Sequence, residues 1–173
     1  MRACHYLLII LMMAAAPGTH ADAALDSLAS TMAARLQVME DVAHYKWAHD
    51  VAVDAPKREA GVIAATVEKA LAIGLDRAVA TRAVTAQMAA AKQRQRRLIA
   101  VWTAGTPPAG NAPDLTRDIR PRINRLTVDF LAALKSAQPA LAGCAVPPQP
   151  ATIDTDIWHT AVAGIVPAGC APD

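Results

Sequence analysis

The stretch that decides the fold is Ala24 to Asp50, ALDSLASTMAARLQVMEDVAHYKWAHD, which predicts one helix whose apolar face is interrupted by two cations. Its apolar residues recur at intervals of three and four, the spacing of a helix face that packs on a core. In chain order this face carries Leu25, Leu28, Met32, Arg35, Met39, Val42 and Lys46. Arg35 and Lys46 stand roughly 16 Å apart along the helix axis, on nearly the same side.

These two inward cations predict an anionic partner. Burying a charge without a partner costs several kcal/mol, so a carboxylate from elsewhere in the chain or a bound ligand must neutralise them. Both side chains are long enough to lean towards each other, which leaves room for a small anion between them.

The composition favours an all-α fold. Apolar residues, many of them alanine, make up 54% of the 173 residues, whereas aromatic residues make up only 3%. Closely packed helices suit this composition better than a sheet, which favours β-branched and aromatic residues. A formal net charge of +2 is too small to indicate a nucleic-acid partner.

The first 23 residues are typical of a cleavable export signal. A positively charged start is followed by an apolar run over residues 6–16 and by small residues ending in Ala21-Asp22-Ala23. The apolar run is too short to span a bilayer. We therefore expect cleavage after Ala21 or Ala23, a single helical domain over residues 24–173, and a periplasmic or secreted protein that is free of the membrane after cleavage.

Export changes how the cysteines are interpreted. Cys144 and Cys170 would remain in the mature chain, and in an oxidising compartment such a pair normally forms a disulfide. A zinc site is the weaker alternative, because no suitably spaced histidines accompany the two cysteines. The disulfide would pin a short last helix that starts near Asp154 and buries Ile157, Trp158, Ala161 and Val162.

Three further helices are predicted, over about Lys57–Ile73, from Asp76 to about Trp102, and over Pro121–Lys135. Asp54 is the expected cap of the first of them, and Gly74 its stop. Asp76 is the expected cap of the next.

Polar residues also fall on the inward faces of these helices. Glu59 begins the inward stripe of its helix, and Gln95 lies on an apolar stripe, where pattern alone favours a hydrogen-bonded core glutamine. The run KQRQRR, from Lys92 to Arg97, has no interleaved aromatic residues, so we expect a solvated helix face there and no nucleic-acid site. Arg125 lies off the apolar set of its helix and reads as a surface charge.

An interior that contains Arg35, Lys46, Arg58, Glu59 and Gln95 has no obvious nucleophile, metal-ligand cluster or poised histidine. It suits a reaction that needs positioning and charge stabilisation. The guanidinium groups favour a carboxylate ligand, because their geometry matches it.

Several segments carry a resemblance to a known family. RLQVMEDVAHYKW and KREAGVI, then GLD and a helix of the type AQMAAAKQRQ ending in Trp102, resemble the secreted, all-helical chorismate mutases, the gamma subclass of the helical family. The resemblance covers essentially the whole mature chain, including the C-terminal cysteine pair. It implies conversion of chorismate to prephenate by a Claisen rearrangement that uses no cofactor and no metal, and family analogy implies a homodimer.

The resemblance also implies roles for individual residues. It assigns the substrate carboxylates to Arg35 and Arg58, the substrate hydroxyl to Glu59, and the ether oxygen to Lys46 and Gln95. Because an amide donates at any pH, activity should depend less on acid than in relatives with glutamate at this position. The NRL triplet makes Arg125 the match for a further substrate-binding arginine from a later helix, against the surface position that pattern alone predicts.

The chain departs from the family pattern at two substrate-binding positions. Ala55 replaces an aspartate, for which either Asp54 or a backbone amide would have to substitute, and Ala91 replaces a serine or threonine. Losing one such hydrogen bond slows an enzyme without necessarily abolishing its activity. An alternative function is an exported protein that binds a small carboxylate on the same scaffold with weakened or lost catalysis. An exported adaptor whose inward charges pair with each other is a weaker one.

Overall fold

The computed structural model describes residues 18–170, which form helices and turns without any strand, as the all-α prediction requires. The helices are α1 (Gly18–Gln37), α2 (Met39–Ala48), α3 (Pro56–Ala72), α4 (Arg77–Thr103), α5 (Arg120–Ala142) and α6 (Thr155–Val162). A π-helical turn, Leu115–Ile119, precedes α5, and a 3-10 turn, Ala168–Cys170, follows α6. Within the described residues, none of these helices is both long and apolar enough to cross a membrane.

Together, α1 and α2 form the helix predicted from the opening stretch. Val38 joins them, and the Val38 N–H still bonds to the Ala34 carbonyl (3.1 Å) while the Val42 N–H bonds to the Val38 carbonyl (3.3 Å). The hydrogen-bond ladder therefore continues through the junction. The apolar members of the predicted face are all buried: Leu25, Leu28, Met32, Met39 and Val42. The inward face of this helix is thereby confirmed.

The core forms where α1 packs along α5 and α4 packs against α2, α3 and α6. The chain just after α6 comes very close to α4 at Gly164. A Cβ atom there would lie 2.4 Å from both the Ala86 Cβ and the Arg82 carbonyl oxygen. Only glycine lets the two segments approach so closely. This contact therefore helps to fix α4 against the chain that follows α6.

The predicted helix ends are confirmed in two places and wrong in one. Gly74 has φ +81°, and Asp76 caps α4 by accepting the Val79 N–H at 3.0 Å. Asp54 does not cap α3. The N-cap residue is Ala55, and its N–H donates at 2.7 Å to the Glu59 carboxylate one turn later. Asp54 is drawn away because its carboxylate pairs with cations on α4.

The predicted disulfide between Cys144 and Cys170 is present, with the two Cα atoms 5.1 Å apart. It encloses α6, whose four predicted apolar residues are all buried. Arg97 of α4 also holds the start of α6, by ion pairs to Asp154 (2.7 Å) and Asp156 (2.6 Å). The short terminal helix is thus fastened at both ends.

Of the predicted export signal, only Gly18–Ala23 is described, as the start of α1; the rest lies outside the described residues.

Candidate active site

Arg35 is an interior cation that meets a hydroxyl and an aromatic ring. Its Nη1 donates to the Thr127 hydroxyl of α5 at 2.5 Å, and its Cζ lies 5.4 Å from the centre of the Phe130 ring. Its Nε is buried without a hydrogen-bond partner, and none of the ion pairs within residues 18–170 involves Arg35. Burial lowers the pKa of the guanidinium to about 10, so it stays charged at neutral pH.

Lys46 lies near the end of α2, beside the loop that leads to α3. Its Nζ donates to the Val53 carbonyl at 2.9 Å, which leaves two of the three ammonium hydrogens for other acceptors. Its pKa is lowered, first by burial and next by the positive charge of Arg58, while Glu59 acts in the opposite direction. Lys46, Arg58 and Glu59 therefore share one electrostatic neighbourhood, although Arg58 itself is exposed.

Gln95 of α4 is only 5% exposed, and its amide is poorly satisfied. Its Nε2 contacts the Met39 Sδ at 3.3 Å, a weak acceptor, and its Oε1 is buried without a partner among the described residues. The interpretation of Gln95 as a satisfied core glutamine is therefore wrong. An unsatisfied buried amide is costly, which favours a role in binding a ligand.

Glu59 of α3 has a partner on each carboxylate oxygen. Its Oε1 accepts the Ala55 N–H at 2.7 Å, and its Oε2 accepts from the Lys92 Nζ at 2.8 Å. Both bonds lower the pKa of the Glu59 carboxyl, the backbone N–H most strongly. Glu59 is thus an ionised acceptor, held at the boundary between α3 and α4.

The run from Lys92 to Arg97 is an ion-paired helix face on which Arg96 and Arg97 are exposed, as the prediction of a solvated face expects. The Lys92 Nζ lies 2.8 Å from Glu59 and 2.6 Å from Asp54, and Arg96 donates to both Asp54 oxygens at 2.7 Å. Arg97 of the same run holds α6. The sequence shows that this run is basic. It does not show which carboxylates approach the run, because that depends on how the segments around α3 and α6 pack against α4.

Both departures from the family pattern persist in three dimensions. The Ala55 N–H is already bonded to Glu59, and the Asp54 carboxylate, whose pKa is lowered to about 2 mainly by hydrogen bonds from Lys92 and Arg96, faces α4. Both proposed substitutes for the missing aspartate are therefore engaged within the protein. Ala91 is partly buried, and it packs both against the main core and against a second apolar cluster of Val38, Met39, Val42 and Ile119. Its side chain has no polar atom with which to bind a substrate carboxylate.

The structure places Arg125 on the exposed side of α5. The residues of α5 that face the core include Thr127, Phe130 and Leu134. Arg120 was not singled out from the sequence, yet it lies seven residues before Thr127 and so shares its stripe of the helix. Both arginines are exposed, and Arg120 follows directly on the π-helical turn that precedes α5.

The start of this π-helical turn offered a readable signal in Asp114. Its side chain accepts the N–H groups of Thr116 (2.9 Å) and Arg117 (2.6 Å), so a helical element begins at Leu115, five residues before Arg120. A helical region that starts there includes Arg120, whereas one that starts at Pro121 leaves it out.

Comparison with known proteins agrees with this geometry. Residues 22–96 match the family model of chorismate mutase type II, and this segment includes Arg35, Lys46, Arg58, Glu59 and Gln95. The chain is 32% identical over 117 residues to a monofunctional chorismate mutase of Enterobacter agglomerans. That match covers 68% of this chain and 64% of the relative, so the chain spans slightly less than two thirds of the relative's length.

Two crystal structures share the fold. One is a chorismate mutase from Burkholderia thailandensis, with 30% identity, a TM-score of 0.68, and coverage of 82% of this chain and 98% of the other. The second is a chorismate mutase from Burkholderia phymatum, with 26% identity, a TM-score of 0.71, and coverage of 85% and 98%. The fold, the segment that holds the inward cations and the extent of these matches agree: this chain belongs to the chorismate mutase type II family.

Proposed function

We propose that this protein converts chorismate to prephenate by a Claisen rearrangement that needs no cofactor. The observation that carries the proposal is Arg35, an interior cation to which no carboxylate is paired in the described part of the chain. An uncompensated buried charge is costly, and chorismate is a dicarboxylate that would neutralise it on binding. Arg58, at the start of α3, is the proposed partner for the second carboxylate.

The rearrangement breaks an ether C–O bond while a new C–C bond forms, so negative charge builds on the ether oxygen in the transition state. Lys46 and Gln95 are the proposed donors to this oxygen. Each has donor capacity to spare, because among the described residues Lys46 donates one hydrogen bond and the Gln95 Nε2 donates to a sulfur atom, a weak acceptor. Donors that act where charge develops stabilise the transition state more than the substrate, which is what accelerates a reaction.

Glu59 is the proposed acceptor for the substrate hydroxyl, a role that its ionised state supports. We further propose that Arg120, and not Arg125, is the later arginine that binds substrate. Both arginines are exposed, but Arg120 lies seven residues before Thr127 on the same stripe of α5, and the Thr127 hydroxyl accepts a hydrogen bond from Arg35. This assignment places a further cation on the stripe of α5 that carries Thr127.

We also propose that the protein is exported and forms a homodimer. The disulfide supports export, because such bonds persist in oxidising compartments. Mass analysis of the protein recovered from the periplasm or medium should find an N-terminus at Asp22 or Ala24, which would shorten α1. Light scattering of the purified protein tests the dimer, which rests on family analogy.

The proposed activity is tested by incubating the purified mature protein with chorismate and identifying the product by NMR. We expect loss of chorismate with formation of prephenate in equal amount. A folded protein that leaves chorismate unchanged would overturn the proposal. If such a protein still bound a bicyclic dicarboxylate that mimics the transition state, the alternative of a carboxylate-binding protein would take its place.

A further inference from the structure

We propose that Lys92 is a positioning residue, which holds the Glu59 carboxylate and the loop of residues 53–55 in the arrangement that the reaction needs. The inference rests on the proposed function, because Glu59 is the proposed contact for the substrate hydroxyl. Lys92 is not itself placed against the substrate. It acts through the groups that it fastens.

The first support is the position of Lys92 between two carboxylates. Its side chain is 20% exposed, that of Glu59 is 19% exposed, and the Nζ lies within 2.8 Å of Glu59 and 2.6 Å of Asp54. Lys92 therefore joins α4 to the first turn of α3 and to the loop before it. Because the pair with Glu59 is mostly shielded from water, it is screened less than a surface pair.

The second support is the way the loop is fastened. Each of its three residues bonds to a different element: the Val53 carbonyl to Lys46 of α2, the Asp54 carboxylate to α4, and the Ala55 N–H to Glu59 of α3. Ala55 has no polar side chain with which to hold the loop itself. The fastening on the α4 side comes from Lys92 and, further out, from Arg96.

The third support is that Lys92 differs from its basic neighbours on α4. Within residues 18–170, Arg96 pairs with Asp54 and not with Glu59, and Arg97 pairs with the two aspartates at the start of α6. Of these three ion-paired cations, Lys92 alone reaches a proposed substrate contact. The neighbours therefore provide matched controls, since each can be replaced by methionine with loss of one positive charge from the same helix.

The test compares Lys92→Met, Arg96→Met and Arg97→Met in steady-state turnover of chorismate. We expect kcat/KM to fall about tenfold in Lys92→Met, which is within the range of coupling between residues of one network. Arg96→Met should lose clearly less, because Lys92 still holds Asp54, and Arg97→Met should match the wild type. Lys92→Arg should recover part of the loss, because it restores a cation between the carboxylates.

A double-mutant cycle separates positioning of Glu59 from general loss of structure. If Lys92 acts through Glu59, Lys92→Met in a Glu59→Gln background should cost much less than in the wild type. Equal loss in Lys92→Met and Arg97→Met, or full additivity with Glu59→Gln, would overturn the proposal.

The pH profile gives a readout that a merely structural role would not move. The charged groups around the Glu59 carboxylate are Lys92 of α4, Asp54 of the loop, Lys46 of α2 and Arg58 of α3. Removing Lys92 takes away a cation that lowers the pKa of Glu59, so that pKa should rise. The acidic limb of kcat/KM should then move to higher pH in Lys92→Met and stay in place in Arg97→Met.

Failure of this inference is distinguishable from failure of the proposed function. A wild-type protein without turnover would overturn the function, whatever Lys92 does. The hold on Glu59 would then be decided by NMR titration of its labelled carboxyl carbon in the wild type and in Lys92→Met. A higher Glu59 pKa in the variant would support the hold, and an unchanged pKa would overturn it.

Discussion

Arg35 and Lys92 are both cations on sides of their helices that face other helices, but their surroundings differ. Lys92 lies at the boundary of α3 and α4 with a carboxylate on either side. Arg35 lies between α1 and α5, where it meets a threonine hydroxyl and an aromatic ring. The protein satisfies one cation from its own chain and leaves the other without a carboxylate among its described residues.

This difference divides the polar groups into two sets. Groups of the paired set, such as Lys92, bond to other groups of the protein and hold its helices together. Groups of the unpaired set, such as Arg35, lack such a partner among the described residues and are available to a ligand. The paired set also includes Arg97, which holds α6 beside the disulfide. The unpaired set also includes Gln95, whose amide oxygen has no partner. An unsatisfied buried polar group lowers stability, and binding and catalytic sites often hold such groups.

The largest effect is expected for Arg35→Met. If Arg35 binds a substrate carboxylate, kcat/KM should fall by about a hundredfold or more, because charged hydrogen bonds are lost. The free energy of unfolding should stay the same or rise, because an apolar side chain of similar length replaces a cation without a carboxylate. Turnover and urea unfolding measured on the same preparation check both parts. A variant that loses stability but keeps its activity would place Arg35 among the structural cations.

The opposite pattern, a loss of stability with little loss of activity, is expected for the disulfide, because it holds a helix in place as the paired groups do. Its two cysteines are 26 residues apart, and opening such a loop in the chain-entropy model costs about 3 kcal/mol. Cys170→Ser should lower the free energy of unfolding by about this amount and leave kcat/KM nearly unchanged while the protein remains folded. A large loss of turnover in fully folded Cys170→Ser would show that α6 contributes to the site.

Gln95→Glu tests whether residue 95 donates to the ether oxygen, because it replaces a neutral amide of the unpaired set by a titratable group. Burial raises the pKa of a carboxyl group, and only its protonated form can donate to the ether oxygen. The activity of the variant should therefore be highest at low pH and fall as the pH rises through that pKa, by about tenfold or more at neutral pH. The wild type should show no such decline. Profiles of kcat/KM that fall in the same way in both proteins would contradict the proposed role.

The smallest effects separate two arginines of α5. Arg120→Ala should lower kcat/KM by about tenfold, since a charged contact to substrate is lost, whereas Arg125→Ala should stay within about twofold of the wild type. The two variants remove the same charge from the same helix, so each controls for the other. The reverse order of effects would restore Arg125 as the substrate-binding arginine.

The sequence allowed the periodic features of this fold to be predicted. The spacing from Leu25 to Lys46 identified the inward face of the first helix, Gly74 and Asp76 marked helix ends, and the cysteine count predicted the disulfide. These predictions succeed because helix periodicity, caps and a lone cysteine pair are local or nearly local properties of the chain.

What could not be predicted depends on how the helices meet. Lys92 looks like any other residue of a basic run until Glu59 of α3 and Asp54 of the loop before α3 approach it. Asp54 has the chemistry of a helix cap, but ion pairs with Lys92 and Arg96 outcompete that role. In each case a contact between distant segments overrides a local preference.

If Arg35 binds a substrate carboxylate, its replacement should weaken the binding of a bicyclic dicarboxylate that mimics the transition state. Calorimetric titration of this mimic into the wild type and into Arg35→Met measures that effect. We expect Kd to be about a hundredfold weaker in the folded variant, as the loss of a buried charged contact requires. An equal Kd for the two proteins would contradict the claim.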